Sequence, residues 1–209
     1  MRKAIEKNAL LLALFAVGCT AVICAVYLIT KDRIKSQEEN KLINTLTQII
    51  DKQTYNNDIY HDCTLINNSA LSAETEKAYL ARYDNQPIAA AITTTAPDGY
   101  NGKIHLIVAI NIDGSVSGVR TIKHQETPGL GDKIEVKKSQ WINSFADKKV
   151  LNEKDQRWAV RKDGGIFDQF TGATITPRAV VKAVRKSVLY FKDQQQQLFQ
   201  QESNCQEKL

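Results

Sequence analysis

The chain opens on an apolar run. Between Ala9 and Ile29 no residue carries a charge, and Thr20 and Tyr27 are the only clearly polar side chains. A helix of that length spans roughly 30 Å, the thickness of a bilayer's hydrocarbon core. Residues 9–30 therefore read as a transmembrane helix behind a short N-terminus, 1–8, with Tyr27 near one end as an interfacial aromatic. From Lys31 to Lys52 apolar Ile34, Leu42, Ile43, Leu46, Ile49 and Ile50 recur at roughly helical spacing. They predict a helical connector over 31–55 that either extends the membrane helix or packs on the following domain. Asn56 to Asp58 break the pattern. Five strand-like runs follow: Cys63 to Ile66, Ala78 to Tyr83, Ile88 to Thr95, Ile104 to Ile110 and Val116 to Ile122. Asp113-Gly114 separates the last two as a hairpin turn, and Asp98-Gly99 marks a second turn. Gln140 to Phe145 reads as a short helix and Trp158 to Arg161 as another strand. A last helix is expected from about Pro177 to Gln197, with Thr176 as N-cap and Pro177 at the first position. Val181, Val184, Val188 and Phe191 mark its buried face, with Arg178, Lys182, Arg185 and Lys186 turned elsewhere. Its Gln-rich end, 194–197, is expected to fray. Strands followed by helices, without regular βαβ alternation, predict an α+β domain over 56–198 with antiparallel strands and flanking helices, then a tail, 199–209.

Composition narrows the class. The 209 residues carry 28 basic and 23 acidic side chains, net +5, with no dense Lys/Arg stripe, so the charge does not call for nucleic acid. A hydrophobic content of 43% excludes a wholly disordered chain. Four cysteines are too few for a disulfide scaffold, and they form no CxxC or Cys/His cluster for zinc. Cys19 and Cys24 read as small fillers of the apolar run. Cys63 and Cys205 read either as one disulfide closing most of the domain, open to them outside the cytoplasm, or as two unrelated buried thiols; the sequence leaves both open.

Targeting follows from the flanks of the span. The run is too long for a secretory signal core, and no small-x-small site follows it. Ala16-Val17-Gly18-Cys19 weakly resembles a lipoprotein processing site, but cleavage there would leave Thr20 to Ile29 as a long apolar mature N-terminus. Arg2, Lys3 and Lys7 precede the span, and Lys31, Arg33 and Lys35 follow it, so the positive-inside comparison hardly decides. The very short basic N-terminus favours the cytoplasm for 1–8, with the large domain outside.

The candidate chemistry lies in two loops. With 10 glycines in all, their placement is informative. Glu126-Thr127-Pro128-Gly129-Leu130-Gly131-Asp132 follows a strand, and its two glycines permit close backbone approach to a ligand. Asp163-Gly164-Gly165 is followed by Asp168-Gln169-Phe170-Thr171-Gly172-Ala173-Thr174, which feeds into the last helix. A helix N-terminus offers free N–H groups and a positive dipole end, so a phosphate at Thr174 would meet backbone donors, with Lys162 or Arg178 adding charge. On residue chemistry alone, Thr171, Thr174 and Thr176 read equally well as turn and cap residues. No nucleophile elbow is present, and His61, His105 and His124 lack metal-ligand spacing, so no catalytic residue or metal ligand is assigned. His105 reads as a solvent-facing sheet residue. His124, next to the first loop, has the better functional claim. Glu126 and Asp132 suit either acid–base work or loop capping.

Together, His124-Gln125-Glu126-Thr127-Pro128-Gly129-Leu130-Gly131 and Asp168-Gln169-Phe170-Thr171-Gly172-Ala173-Thr174-Ile175-Thr176-Pro177 resemble the covalent FMN-binding domain. More closely, the chain resembles the family of G subunits of Rnf (Rsx) electron-transport complexes of Gram-negative bacteria. The resemblance covers the whole chain, including Ala96-Pro97-Asp98-Gly99-Tyr100 before a strand. The longer C subunit of the sodium-pumping NADH–quinone reductase shares the domain; the shorter length and the Asp-Gln-Phe before Thr-Gly-Ala-Thr favour the Rnf family. A serine often stands where this chain has Thr171, a mild departure.

The resemblance implies FMN joined by a phosphoester to Thr174. A separate flavin transferase, working outside the cytoplasm with a metal ion and FAD, would make the bond. It implies a single-pass protein of the inner membrane with the flavin domain in the periplasm. The chain would be a non-autonomous redox subunit that relays electrons among other membrane subunits of a complex. That complex would couple transfer between ferredoxin and NAD to ion translocation. Thr127, Leu130 and Tyr100 are the candidates for contacting the ring and Gly129 and Gly131 for close approach, with Gly172 and Ala173 keeping the turn before Thr174 uncrowded. Thr171, Asp168, Glu126, Lys162 and Thr176 complete the expected site. Tyr100 reads equally as a strand-edge aromatic. The reading from another class is an anchored, non-redox module that uses the Gly loops for an anionic ligand.

Overall fold

The computed structural model describes residues 2–69 and 71–205. Met1 and positions 206–209 of the expected tail lie outside the described residues. The first helix, α1, runs over Arg2–Ile49. Its apolar stretch is exposed, with Leu12, Phe15, Val17, Ile23 and Ile29 all more than half exposed. Among the described residues it is the one helix long and apolar enough to cross a membrane. The chain divides into two compact units, one ending at Asn44 and the other beginning at Thr45. The second unit thus starts inside the stretch 31–55 expected as a connector.

That second unit is an α+β domain. Five strands, β1 (Cys63–Ile66), β2 (Glu76–Tyr83), β3 (Gln86–Gly99), β4 (Gly102–Asn111) and β5 (Val116–Lys123), form one antiparallel sheet in chain order. The order reflects tight connections: Asp84 and Asn85 both take positive φ between β2 and β3, and Gly114 does so between β4 and β5. The expected turn at Asp98-Gly99 is instead the end of β3. Gly99 pairs with Gly102 across a register shift, which moves the turn to Tyr100 and Asn101.

Alternation gives each sheet face its own core. Leu80, Ile92, Leu106, Val108, Ile110 and Val119 pack with Phe145, Phe167, Val180, Val184, Val188 and Phe191. The second helix, α2 (Ile175–Gln200), supplies the last four of these from the face its sequence marks. On the opposite face Ala91, Ile107 and Ala109 are fully buried. The last turn of α1 is part of this layer: Leu46, Ile49 and Ile50 are buried, and a Cβ on Gly118 would lie 2.9 Å from Ile49 Cβ. The Ser117 hydroxyl donates to the Ile49 carbonyl at 2.6 Å.

The expected short helix forms, and two other local expectations change. Gln140–Phe145 is a 3-10 helix, capped by Ser139 accepting from the Trp141 N–H. Trp158 to Arg161 does not form a strand: Val160 makes an isolated bridge to Phe167, and the chain turns at once into a 3-10 helix at Arg161–Asp163. Trp158 and Val160 alternate because both insert into the core, not because a ladder continues. The Gln-rich end of α2 does not fray before Gln200, because Leu198 is buried and Phe199 packs edge-on to Phe191. Arg82 holds that turn further by donating to the Phe199 carbonyl at 3.0 Å. Cys63 and Cys205 are joined by a disulfide.

Candidate functional site

The site begins at the tip of the β3–β4 hairpin. The Asn101 backbone N–H donates to Glu126 Oε1 at 3.1 Å, and its side-chain amide donates to the Gln125 carbonyl at 2.7 Å. The tip is thereby tied to the segment that leaves β5, and Tyr100 is left two-thirds exposed. His124 organises this segment from behind. Its Nδ1 accepts the Glu126 N–H at 3.0 Å, which places the ring proton on Nε2, 2.7 Å from Glu135 Oε1. His124 thus braces the first loop; His105 lies 3.1 Å from the Thr95 hydroxyl. The first loop closes on itself, with the Leu130 and Gly131 N–H groups donating to the Thr127 carbonyl at 3.1 and 3.0 Å. Gly129 takes φ +78°, the conformation this turn requires.

The second loop is anchored by aromatics. Trp141 Nε1 donates to the Asp168 carbonyl at 2.7 Å, and Trp141 meets Phe170 edge-on at 5.0 Å. Phe167 and Phe170 are buried, so residues 171–174 ride over the core at the surface. The helix starts earlier than its sequence suggests. Thr174, not Thr176, is the N-cap of α2, and its hydroxyl makes no capping hydrogen bond. Thr176 is fully buried and donates its hydroxyl to Glu126 Oε2. A buried carboxylate requires donors, and that need outweighs the capping role.

Between the two loops lies a cavity of about 580 Å³. Tyr100, Glu126, Thr127, Leu130 and Gly131 line one side; Lys162, Gly172, Ala173, Thr174, Ile175 and Thr176 line the other. Most of the expected site residues therefore meet. Asp168, Thr171 and Gly129 are not in the lining. Asp168 pairs with Arg161 at 2.9 Å, and Thr171 is exposed beside the cavity. Arg178 is turned away, donating to both oxygens of Asp163 at 2.6 Å. Those bonds hold the Asp163 carboxyl below its ordinary range and raise the guanidinium. Lys162 is the basic residue left in the lining. Two members of the site, Ile175 and Asn101, are not announced by the sequence. Ile175 carries no signal beyond being apolar at a helix start, and Asn101 acts mainly through its backbone.

Comparison with known proteins places this geometry. The family model for the FMN-binding domain matches residues 99–188, from the hairpin tip into α2, so both sides of the cavity fall within it. A second model, the RnfG N-terminal region, matches residues 1–49. The G subunit of the ion-translocating oxidoreductase complex of Shewanella oneidensis is 50% identical over 210 residues, covering 100% of this chain and 99% of its own length. Its namesake in Vibrio atlanticus is 49% identical, with 98% of this chain and 99% of its own length aligned. That of one Aliivibrio fischeri strain is 47% identical, end to end on both. The chain belongs to the G subunits of ion-translocating oxidoreductase complexes.

The cavity suits the cofactor that the family's domain is named for. Its volume falls within the roughly 300–1,000 Å³ of small-molecule sites. The first turn of α2 presents the Ile175 and Thr176 N–H groups with no carbonyl ahead of them, and Lys162 lines the same side of the cavity, a combination fit for a phosphate. Tyr100, Leu130 and Ile175, which line the opening, are 67%, 42% and 45% exposed. They offer the flat apolar contact that a flavin ring requires.

Proposed function

We propose that this chain carries FMN on Thr174 as the flavin subunit of a membrane-bound ion-translocating oxidoreductase, with its domain on the periplasmic side. The observation that carries the attachment site is the contrast among the three threonines of the second loop. Thr176 is fully buried and its hydroxyl is held by Glu126. Thr171 lies outside the cavity lining. Thr174 lines the cavity, is half-buried, and has a hydroxyl free of any capping bond at the start of α2. A threonine hydroxyl is a weak nucleophile without a base, and Lys162 is the one titratable cavity-lining residue beside the already engaged Glu126 and the phenol of Tyr100. That suits attachment by a separate flavin transferase. Thr174 Oγ would take the FMN phosphoryl group of FAD as the pyrophosphate bond breaks, AMP leaving and the hydroxyl proton passing to a base of the transferase.

Once the phosphoester is made, the N–H groups of the first turn of α2 and Lys162 hold the phosphate. Leu130, Ile175 and Tyr100 orient the ring and exclude water from its edge. When bound, FMN supplies the reversible redox chemistry that lets the subunit relay electrons within its complex. The Cys63–Cys205 disulfide supports the periplasmic placement, since such bonds persist in oxidising compartments.

The test is in-gel flavin fluorescence under denaturing conditions, with the full chain coexpressed with a flavin transferase. Wild type should fluoresce and Thr174→Ala should be dark, with Thr171→Ala retaining the signal. A dark wild type beside a labelled control protein would sink the covalent reading and leave an anion-binding surface.

A further inference from the structure

We propose that Glu126 is a positioning residue of the flavin site: its carboxylate fixes the spacing between the hairpin tip that bears Tyr100 and the helix start that bears Thr174. The inference rests on the flavin reading above, but its geometry stands apart from it. Glu126 is 4% exposed, although it borders the cavity. Each carboxylate oxygen already holds a donor, Oε1 the Asn101 N–H and Oε2 the Thr176 hydroxyl. Neighbouring glycines make room for it. A Cβ on Gly99 would lie 2.8 Å from Oε1, and one on Gly131 would lie 2.7 Å from Oε2. The carboxylate is thus clamped between β3 and the first loop while it bonds to β4's approach and to α2. Its own backbone is fixed through His124. Among the described residues of the cavity lining, Glu126 is the one whose hydrogen bonds join the hairpin tip to the first turn of α2.

The arrangement has a chemical logic. The Asn101 N–H can only donate, whereas the Thr176 hydroxyl either donates or accepts. Glutamine therefore fits both, its carbonyl taking the Asn101 N–H and its amide donating to Thr176 Oγ1. Alanine satisfies neither and leaves a void between two glycines. Holding the Thr176 hydroxyl also withdraws it from competition with Thr174 for the flavin.

The experiment uses the full chain coexpressed with a flavin transferase, comparing wild type, Glu126→Gln and Glu126→Ala. Two readouts are taken: covalent flavin per folded protein, and amide hydrogen exchange at Asn101 in the flavin-free Thr174→Ala background. Glu126→Ala is expected to lower flavin per folded protein about tenfold, the scale of losing a buried hydrogen-bonded carboxylate. Asn101 exchange should accelerate by a similar factor while the β4 amides stay protected. Glu126→Gln should restore both readouts. Unchanged Asn101 exchange in Glu126→Ala overturns the proposal, as does a flavin loss that only matches the unfolded fraction or a Gln variant as defective as Ala. Thr174→Ala that still carries covalent flavin would instead overturn the attachment site, while the exchange readout continues to decide the role of Glu126.

Discussion

Thr174 and Thr176 are two positions apart and stand in opposite surroundings, one hydroxyl without a capping partner and the other held by Glu126. Replacing Thr176 by valine removes the donor from a buried carboxylate oxygen, so Thr176→Val should cost about 1–3 kcal/mol of stability. Thr174→Val removes a hydroxyl with no capping partner and should change stability by less than about 0.5 kcal/mol while abolishing the flavin. Urea unfolding of the two flavin-free proteins separates them. A second residue-scale expectation concerns acid. Asp155 is buried and accepts from Arg157 Nε at 2.9 Å, Arg157 Nη2 at 2.8 Å and the Leu151 N–H at 3.0 Å. Its hydrogen bonds, those from the Arg157 side chain foremost, hold the carboxyl well below the usual carboxylate range. A depressed folded-state pKa gives stability that is present above the unfolded pKa near 3.9 and is lost as pH falls below it. The urea midpoint of wild type should therefore drop more steeply than that of Asp155→Asn between about pH 5 and about pH 2. Equal slopes would show that Asp155 contributes nothing to acid lability.

Among the elements, β1 is the one whose protection the sequence hid. It has 4 residues and lies at the edge of the sheet. The tail covers that edge: the Asn204 N–H donates to the Cys63 carbonyl at 3.1 Å, and Asn204 Oδ1 accepts the Leu65 N–H at 2.7 Å. Ser203 Oγ accepts the Cys63 N–H at 3.2 Å, and Cys205 is bonded to Cys63. An uncovered strand edge invites pairing with another chain, so the tail is a guard as well as a terminus. With a sequence separation of 142, the bond closes a long loop, and chain entropy sets its worth at about 2–5 kcal/mol. Cys63→Ser with Cys205→Ser should lower unfolding stability by that amount and leave covalent flavin on the protein that remains folded. A shift below about 0.5 kcal/mol would mean that the Ser203 and Asn204 contacts hold the tail without it. The strands themselves were legible, because β3 and β4, buried on both faces, read as short near-continuous apolar runs bounded by turn residues. The expected strand at Trp158 to Arg161 was not: insertion into a core and pairing in a ladder give the same alternating pattern over so few residues.

For the molecule as a whole, the question is which side of the membrane holds the domain. Charge flanking the span hardly decides it, whereas the disulfide points to an oxidising compartment. Protease added outside spheroplasts should digest the domain beginning at Thr45, and intact cells should protect it. Digestion only after the inner membrane is lysed would place the domain in the cytoplasm and overturn the proposed orientation. The flavin-transferase expectation would fall with it, since that enzyme is expected outside the cytoplasm.

The sequence by itself determined the membrane span, the α+β class, the strand positions and the two loops that line the cavity. Each of these is local: a run of apolar residues, a period of two, a glycine turn or a helix start is written within about twenty consecutive positions. Tertiary structure alone decided which partners those loops would find. That Glu126 reaches Asn101 on one side and Thr176 on the other depends on contacts 25 and 50 positions away in sequence. The withdrawal of Thr176 into the interior, which leaves Thr174 as the free hydroxyl, follows from that contact. So do the exclusion of Asp168 and Thr171 from the cavity lining and the turning of Arg178 toward Asp163 belong to the packed state. Hydrogen bonds to buried carboxylates are settled by which donors the packed sheet and helix bring within reach, and no local pattern records that distance.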